Sequence, residues 1–167
     1  LNGRLDPEED VNGNGRLDRF LIPEPPAPPN IRVEFERDRA SDEPVVAVYW
    51  DDSSEQSRDP VSGLEDFEGY RIYRSDPGDD LGGVIVQAAS LVAKYDRPGN
   101  ATGFNNGFAA IALPEPALFQ GDPTEYRYRF ESTNLKSGWQ YLFSVTAFDS
   151  GDPDAGLEPF ESSRVSG

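Results

Sequence analysis

Oxygen-bearing side chains occupy alternate positions in one short stretch near the start of the chain, Asp10 to Asp18. Ca²⁺ takes six to eight oxygen ligands, and a tight loop points alternate side chains inward. Gly15 supplies the sharp turn that such a loop needs, and Leu17 supplies an apolar anchor. The spacing therefore predicts a calcium site of four side chains and one backbone carbonyl, the carbonyl at the fourth of these five positions: Asp10, Asn12, Asn14, Arg16 and Asp18.

The same stretch resembles the calcium loops of dockerins and of thrombospondin type 3 repeats. It departs from the EF-hand pattern at position twelve, where Leu21 replaces the bidentate Glu, so Glu24 or a neighbouring acid would have to complete the coordination. An upstream copy of the motif lacks its first ligands, and the resemblance implies that Asp6 and Glu9 complete a site there. A solvated Asn/Gly/Asp turn without metal is the alternative.

Composition narrows the classes of function. The chain has 167 residues and a net charge of -16, with neither Cys nor His. This charge excludes nucleic acid as a partner, because phosphate contacts need clustered Lys and Arg, and it favours cations. The usual zinc ligands are missing, and no apolar run reaches the roughly 20 residues of a membrane span. A first residue of Leu and the lack of Met indicate a processed or excised fragment.

The chain divides into three segments. Residues 1–21 form the calcium loop repeat, and residues 22–29 form a linker whose five prolines favour an extended polyproline II conformation. Residues 30–167 carry apolar residues in alternation, which predicts an all-β domain. The strands predicted in chain order, named A, B, C, E, F and G, are Ile31–Glu36, Val46–Trp50, Phe67–Arg74, Tyr126–Glu131, Leu135–Asp149 and Phe160–Val165.

Three of these strands resemble those of fibronectin type III domains. Strand B ends in Val-x-Val-x-Trp at Trp50, strand C reads Gly-Tyr-Arg-Ile-Tyr, and strand F follows Leu135 with a turn and then Tyr141, the pattern of a tyrosine corner. The resemblance implies an immunoglobulin-like sandwich of two sheets. It also implies that Trp50 fills the core centre and that the Tyr141 hydroxyl bonds to backbone just upstream.

Residues 75–125 are longer than the connection that a seven-strand sandwich needs between strands C and E. Within them Val84–Tyr95 are predicted to form a short helix or an extra strand, and Asp96–Gly107 a loop. Leu113–Pro116 are predicted to interrupt regular structure because of their prolines. An insertion of this length is a candidate contact surface.

Acidic residues gather in the loop after strand B and in the loop after strand F, which emerge at the same end of an immunoglobulin-like sandwich. A second calcium site between these loops is one hypothesis, and solvated acidic loops are the alternative. The candidate ligands are Asp51, Asp52, Asp149 and Asp152. Paired carboxylates could also serve a glycosidase, but the sequence marks no aromatic-lined cleft beside them, so we predict no catalytic residue.

These features favour a non-enzymatic extracellular structural module, secreted or at the cell surface, that is stiffened by Ca²⁺ and acts by assembly or display. Its expected partners are further copies of the chain or neighbouring domains. The specific hypothesis is a head-to-tail, calcium-dependent homopolymer in which residues 1–29 or 75–125 dock on a neighbour's sheet edge. The alternatives are a hydrolase and a glycan-binding accessory module of a secreted enzyme, the latter using an aromatic platform of Tyr73, Trp139 and Phe148.

Overall fold

The computed structural model describes residues 23–37, 43–60, 63–76, 89–100, 102–151 and 158–164. The predicted calcium loop of residues 1–21 and Asp152 lie outside the described residues. The described chain forms one short 3-10 turn, Ser53–Gln56, which is far too short to cross a membrane. Its strands are β1 (Ile31–Arg37), β2 (Pro44–Trp50), β3 (Phe67–Arg74), β4 (Ser90–Asp96), β5 (Ala112–Phe119), β6 (Asp122–Ser132) and β7 (Phe143–Asp149).

The strands form two antiparallel sheets. One sheet has the order β1-β2-β6-β5, and the other has the order β4-β3-β7. Strand β2 pairs with β1 on one side and with β6 on the other, so that Trp50 lies opposite both Ile31 and Tyr128. The predicted all-β class and the two-sheet sandwich are confirmed at this level.

The core lies between the two sheets, with Trp50 at its centre. Trp50 is fully buried, and its ring lies 5.6 Å from the rings of both Tyr70 and Tyr128. Strand β7 contributes Phe143, Val145 and Ala147, which are all buried in the same cluster. Alternate residues of a strand face the same side, which is why the predicted inner face of strand F is confirmed.

The predicted tyrosine corner is present just before β7. The backbone N–H of Lys136 donates a hydrogen bond of 2.8 Å to the Tyr141 hydroxyl. Gly138 lies in the turn between them with φ of 81°, a conformation that suits glycine. The corner therefore fixes the chain where it enters the second sheet.

Replacing Tyr141 by Phe should lower the free energy of unfolding by about 0.5–1.5 kcal/mol, because one hydrogen bond is lost while the ring stays. Urea denaturation of the wild type and the variant measures this loss. The matched control is Tyr95→Phe, whose hydroxyl has no hydrogen bond among the described residues. Equal losses in the two variants would show that the corner contributes nothing beyond the ring.

One expectation for residues 75–125 needs correction. The region contains strands β4 and β5. Strand β5 runs through Leu113–Pro116, where an interruption was expected. The prolines are tolerated because β5 is an edge strand whose register against β6 shifts between Ala112 and Ala117.

Two further expectations for this region agree with the structure. Strand β4 confirms the strand alternative for residues 90–95, whereas residues 84–88 lie outside the described residues. Residues 97–100 and 102–107 form the expected loop, organised around the buried Asp96. The Asp96 carboxylate accepts the backbone N–H groups of Phe104 and Asn106, the latter at 2.9 Å.

The described C-terminal residues 158–164 make one isolated bridge, between Glu161 and Phe148, instead of the predicted strand G. The ladder breaks because the Ala147 N–H donates to the Ser162 side chain, at 3.0 Å, rather than to a backbone carbonyl. Two backbone hydrogen bonds flank the bridge, from Asp149 N–H to the Phe160 carbonyl at 3.1 Å and from Ser162 N–H to the Ala147 carbonyl at 2.8 Å, and side chains hold the rest of the segment. The donors to the Glu161 carboxylate are Arg71, Tyr73 at 2.7 Å and Thr146 at 2.6 Å.

Candidate assembly surfaces

The described part of the proline linker is bound to its own domain. Residues 23–29 contain only two non-proline residues, Glu24 and Ala27, and hence only two backbone N–H donors. Both donors are used: Glu24 donates to the Asp59 carboxylate at 3.1 Å, and Ala27 donates to the Ser57 hydroxyl at 2.8 Å. The linker therefore meets the loop that follows β2, at one end of the sandwich.

Three carboxylates approach one another at this end, which we call the acidic end and define as residues 51–60, 63–66 and 149–151. Burial raises the pKa of Asp66, and the nearby carboxylates of Asp149 and Asp59 raise it further, against one lowering backbone hydrogen bond. Burial and Asp59 likewise raise the pKa of Asp149, although two backbone N–H groups oppose them. The loops after β2 and β7 thus meet at one end, as predicted, and negative charge is costly there.

The acids of the predicted second calcium site already have protein partners. Asp51 accepts from both the backbone and the side chain of Asn30, at 3.1 and 2.6 Å, and Asp52 lies 3.0 Å from Arg127. Asp149 accepts the backbone N–H groups of residues 151 and 160, at 2.9 and 2.8 Å. Among the described residues no group of three or more acids is arranged to hold a metal ion. Calcium at this end stays a prediction.

The raised pKa of Asp149 predicts a pH-dependent effect of Asp149→Asn. A carboxyl whose folded pKa is raised contributes stability that is complete below its unfolded pKa, about 3.9, and is lost as pH rises through the folded pKa. The stability of the Asn variant relative to the wild type should therefore increase as pH rises from about 4 through the folded pKa, and stay level above it. Denaturant midpoints at several pH values measure the difference.

Asp122→Asn is the control of opposite sign. A hydrogen bond from the Thr124 backbone lowers the pKa of Asp122 to about 2, helped by Tyr126 and Arg32 and opposed by burial. This carboxylate contributes stability above the unfolded pKa, which is lost as pH falls through about 2. The Asn variant should therefore lose stability relative to the wild type between about pH 2 and pH 5. The same trend in both variants would contradict the assigned environments.

An apolar groove of about 370 Å³ opens at the opposite end of the sandwich. Val33 and Phe35 of β1 lie on the face that carries Val48 and Trp50, yet they are 45% and 70% exposed. Trp139, 52% exposed, stands near them beside the tyrosine corner. The groove is lined by Val33, Phe35, Pro44, Val46, Leu135, Lys136, Ser137, Gly138, Trp139, Tyr141 and Phe143.

The three aromatic residues proposed for a glycan platform differ in exposure, so the predicted platform of all three is wrong. Tyr73 and Phe148 are buried on the outer face of the second sheet, under the guanidinium groups of Arg164 and Arg71 at 3.7 and 4.4 Å. Only Trp139 is exposed. Alternation identified Phe35 as an inner-face residue, but no signal in the sequence shows that its side of the sandwich is open.

No family model matches the chain, and searches of curated proteins and of solved structures found no match either. The function is therefore inferred from the chemistry of the two ends of the sandwich and of the sheet edges.

Proposed function

We propose that this chain is a non-enzymatic extracellular structural module, stiffened by Ca²⁺, that acts by assembly into a filament or surface layer or by display at the cell surface. The observation that carries the proposal is the difference between the two ends of the sandwich. One end holds the buried Asp149 and the half-buried Asp66, whose pKa values are raised, and the other end holds an apolar groove with Lys136 as its charged residue. Two ends of different chemistry favour head-to-tail contacts between copies of the chain. Such contacts can continue into an open filament instead of forming a closed oligomer.

The strand order supports an immunoglobulin-like, fibronectin type III identity. The first sheet, β1-β2-β6-β5, has the order of strands A, B, E and D in an immunoglobulin constant-type sheet. Strands β3 and β7 take the places of C and F, and β4 adds a strand beside C. The tyrosine corner stands before the strand that corresponds to F. Such domains serve as structural modules, which agrees with the proposal at the level of fold.

Calcium would act in two ways in such an assembly. At residues 10–18 it would stiffen the N-terminal arm, and across the acidic end it would offset the repulsion between chains of net charge -16. Ca²⁺ held only by the native state stabilises it by about 2.7 kcal/mol at a hundredfold excess over Kd.

The test compares particle mass and shape with Ca²⁺ and with chelator, by light scattering and negative-stain microscopy. We expect elongated assemblies at millimolar Ca²⁺, a range typical of extracellular sites, and their loss in chelator.

An Asp10→Ala, Asp18→Ala double variant should bind Ca²⁺ more weakly by calorimetry and assemble less. The matched control is Glu125→Ala, Glu131→Ala, at two exposed acids of β6. A wild type that stays monomeric at high concentration with Ca²⁺ would overturn assembly, and equal affinity in the Asp variant would remove the calcium site.

Glycan binding is a second candidate function, favoured by the exposed Trp139 beside Phe35 in the groove. An aromatic face in an open groove can stack on a sugar ring. Affinity electrophoresis in gels containing polysaccharide would show retardation of the wild type and its loss in Trp139→Ala. Identical migration with and without polysaccharide excludes this function.

A further inference from the structure

Strand β1 is an edge strand that is less protected than the edge strands β4 and β5. The edge strand β5 carries Pro114 and Pro116 and shifts register against β6. The edge strand β4 carries Lys94 and a register shift opposite Ile72 and Tyr73. Proline, lysine and bulges are the devices that stop a sheet edge from pairing with another chain. Strand β1 carries charged side chains but no proline, lysine or bulge, and it stays in register with β2 over all seven residues.

The inner face of the same strand is apolar and exposed. Val33 and Phe35 face the groove, and they are only partly covered by their own chain. A long edge strand with exposed apolar side chains is a template for strand addition. A strand added here would both extend the sheet and cover these side chains.

The charges of β1 indicate that the added strand is β1 of a second copy. In antiparallel pairing centred on Val33, Arg32 lies opposite Glu34 of the partner subunit, and the reciprocal pair forms by symmetry. These contacts would join the ion pairs that Arg32 already makes with Glu34 and Asp122 of its own chain into one network across the two strands. Ile31 then lies opposite Phe35 of the partner subunit, so the two apolar faces become continuous. Centring the strands on Glu34 or Phe35 instead would place Glu against Glu.

We infer that two copies of this chain pair antiparallel through β1, about a two-fold axis at Val33, to form one continuous eight-stranded sheet. The interface is isologous and closed, unlike the head-to-tail contact of the proposed polymer, and it needs no Ca²⁺. Together the two kinds of contact would link dimers laterally and lengthwise.

The first experiment uses a cysteine on the predicted axis. The chain has no Cys, so Val33→Cys introduces a single thiol. Directly opposed residues of antiparallel strands have Cα atoms about 4.5–5.5 Å apart, within the range for a disulfide. Under mild oxidation in chelator we expect disulfide dimers in Val33→Cys at several times the yield of the control Glu115→Cys, at an exposed position of edge strand β5. Equal yields would overturn the inference.

The second experiment measures self-association without engineered thiols. Phe35→Lys and Leu118→Lys both place a charge at an edge-strand position that is 70% exposed. By sedimentation equilibrium in chelator, Phe35→Lys should weaken dimerisation by about tenfold or more, as loss of a central aromatic contact does, whereas Leu118→Lys should change it by less than about twofold. A wild type that is monomeric up to about millimolar concentration overturns the inference, as do equal effects of the two substitutions.

Measurements with and without Ca²⁺ distinguish the β1 interface from the contacts of the proposed polymer. Dimers that persist without Ca²⁺ while elongated assemblies fail to form with it would support the β1 interface and overturn the polymer. If Val33→Cys forms calcium-dependent assemblies but no disulfide dimers, the polymer is supported and the β1 interface is overturned.

Discussion

Replacing Trp50 by Ala should lower the free energy of unfolding by about 3–5 kcal/mol, the cost of truncating a large aromatic residue in a core. Trp50 is fully buried and packs against Tyr70 from the facing sheet and Tyr128 from its own. Its indole N–H has no hydrogen-bond partner among the described residues, so the loss comes from packing. Urea denaturation followed by circular dichroism measures it.

Trp139→Ala is the matched control, because the chain has only these two Trp residues. Trp139 is 52% exposed, and its removal should change the free energy of unfolding by less than about 0.5 kcal/mol. Comparable losses in the two variants would mean that the groove, and not the space between the sheets, is the main core.

Gly69→Ala is expected to cost about 3 kcal/mol, at the upper end of the range for overpacking. Gly69 lies in β3, opposite Asp96 of β4 and Phe148 of β7. An added Cβ would lie 2.2 Å from the Tyr95 carbonyl oxygen and 2.8 Å from the Asp96 Cα, both backbone atoms that cannot rotate away. Relief would require the central strand of the second sheet to separate from its neighbour.

Gly63→Ala tests whether the effect comes from contact or from backbone conformation. Gly63 has φ of 70°, and no atom lies within 4 Å of an added Cβ. Its substitution should cost about 1 kcal/mol through the left-handed conformation alone. A Gly69 variant that is no less stable than the Gly63 variant would contradict the close strand contact.

Local patterns were sufficient to predict the parts of the fold that depend on one strand at a time. The alternation in β2 and β7 identified their inner faces, including Trp50 and Val145, because burial of one strand face leaves a period of two. The tyrosine corner was predictable because both of its ends lie within six residues. These features need no knowledge of neighbouring strands.

The remaining features depend on which segments are neighbours, which a local pattern does not contain. Strand β5 passes through two prolines because it lies at an edge, and strand G fails because the Ser162 side chain takes a ladder position. The loops bring the carboxylates of Asp66 and Asp149 close enough to interact, although the two residues are 83 positions apart in the chain (149 − 66). Phe35 has the alternation of a core residue but is exposed, because no strand among the described residues covers it.

The two hydrogen bonds of the proline linker determine how the domain responds to a mechanical load. A pull applied upstream of Pro23 acts first on the bonds from Glu24 and Ala27 to the loop after β2. The hydrogen bonds between Asn30 and Asp51 are loaded next. Only when these also yield does tension reach β1, which runs away from the acidic end, so that its ladder with β2 is loaded in shear along its full length. The linker therefore detaches from the domain before the sheet is disturbed, and its two hydrogen bonds can form again when the load is removed.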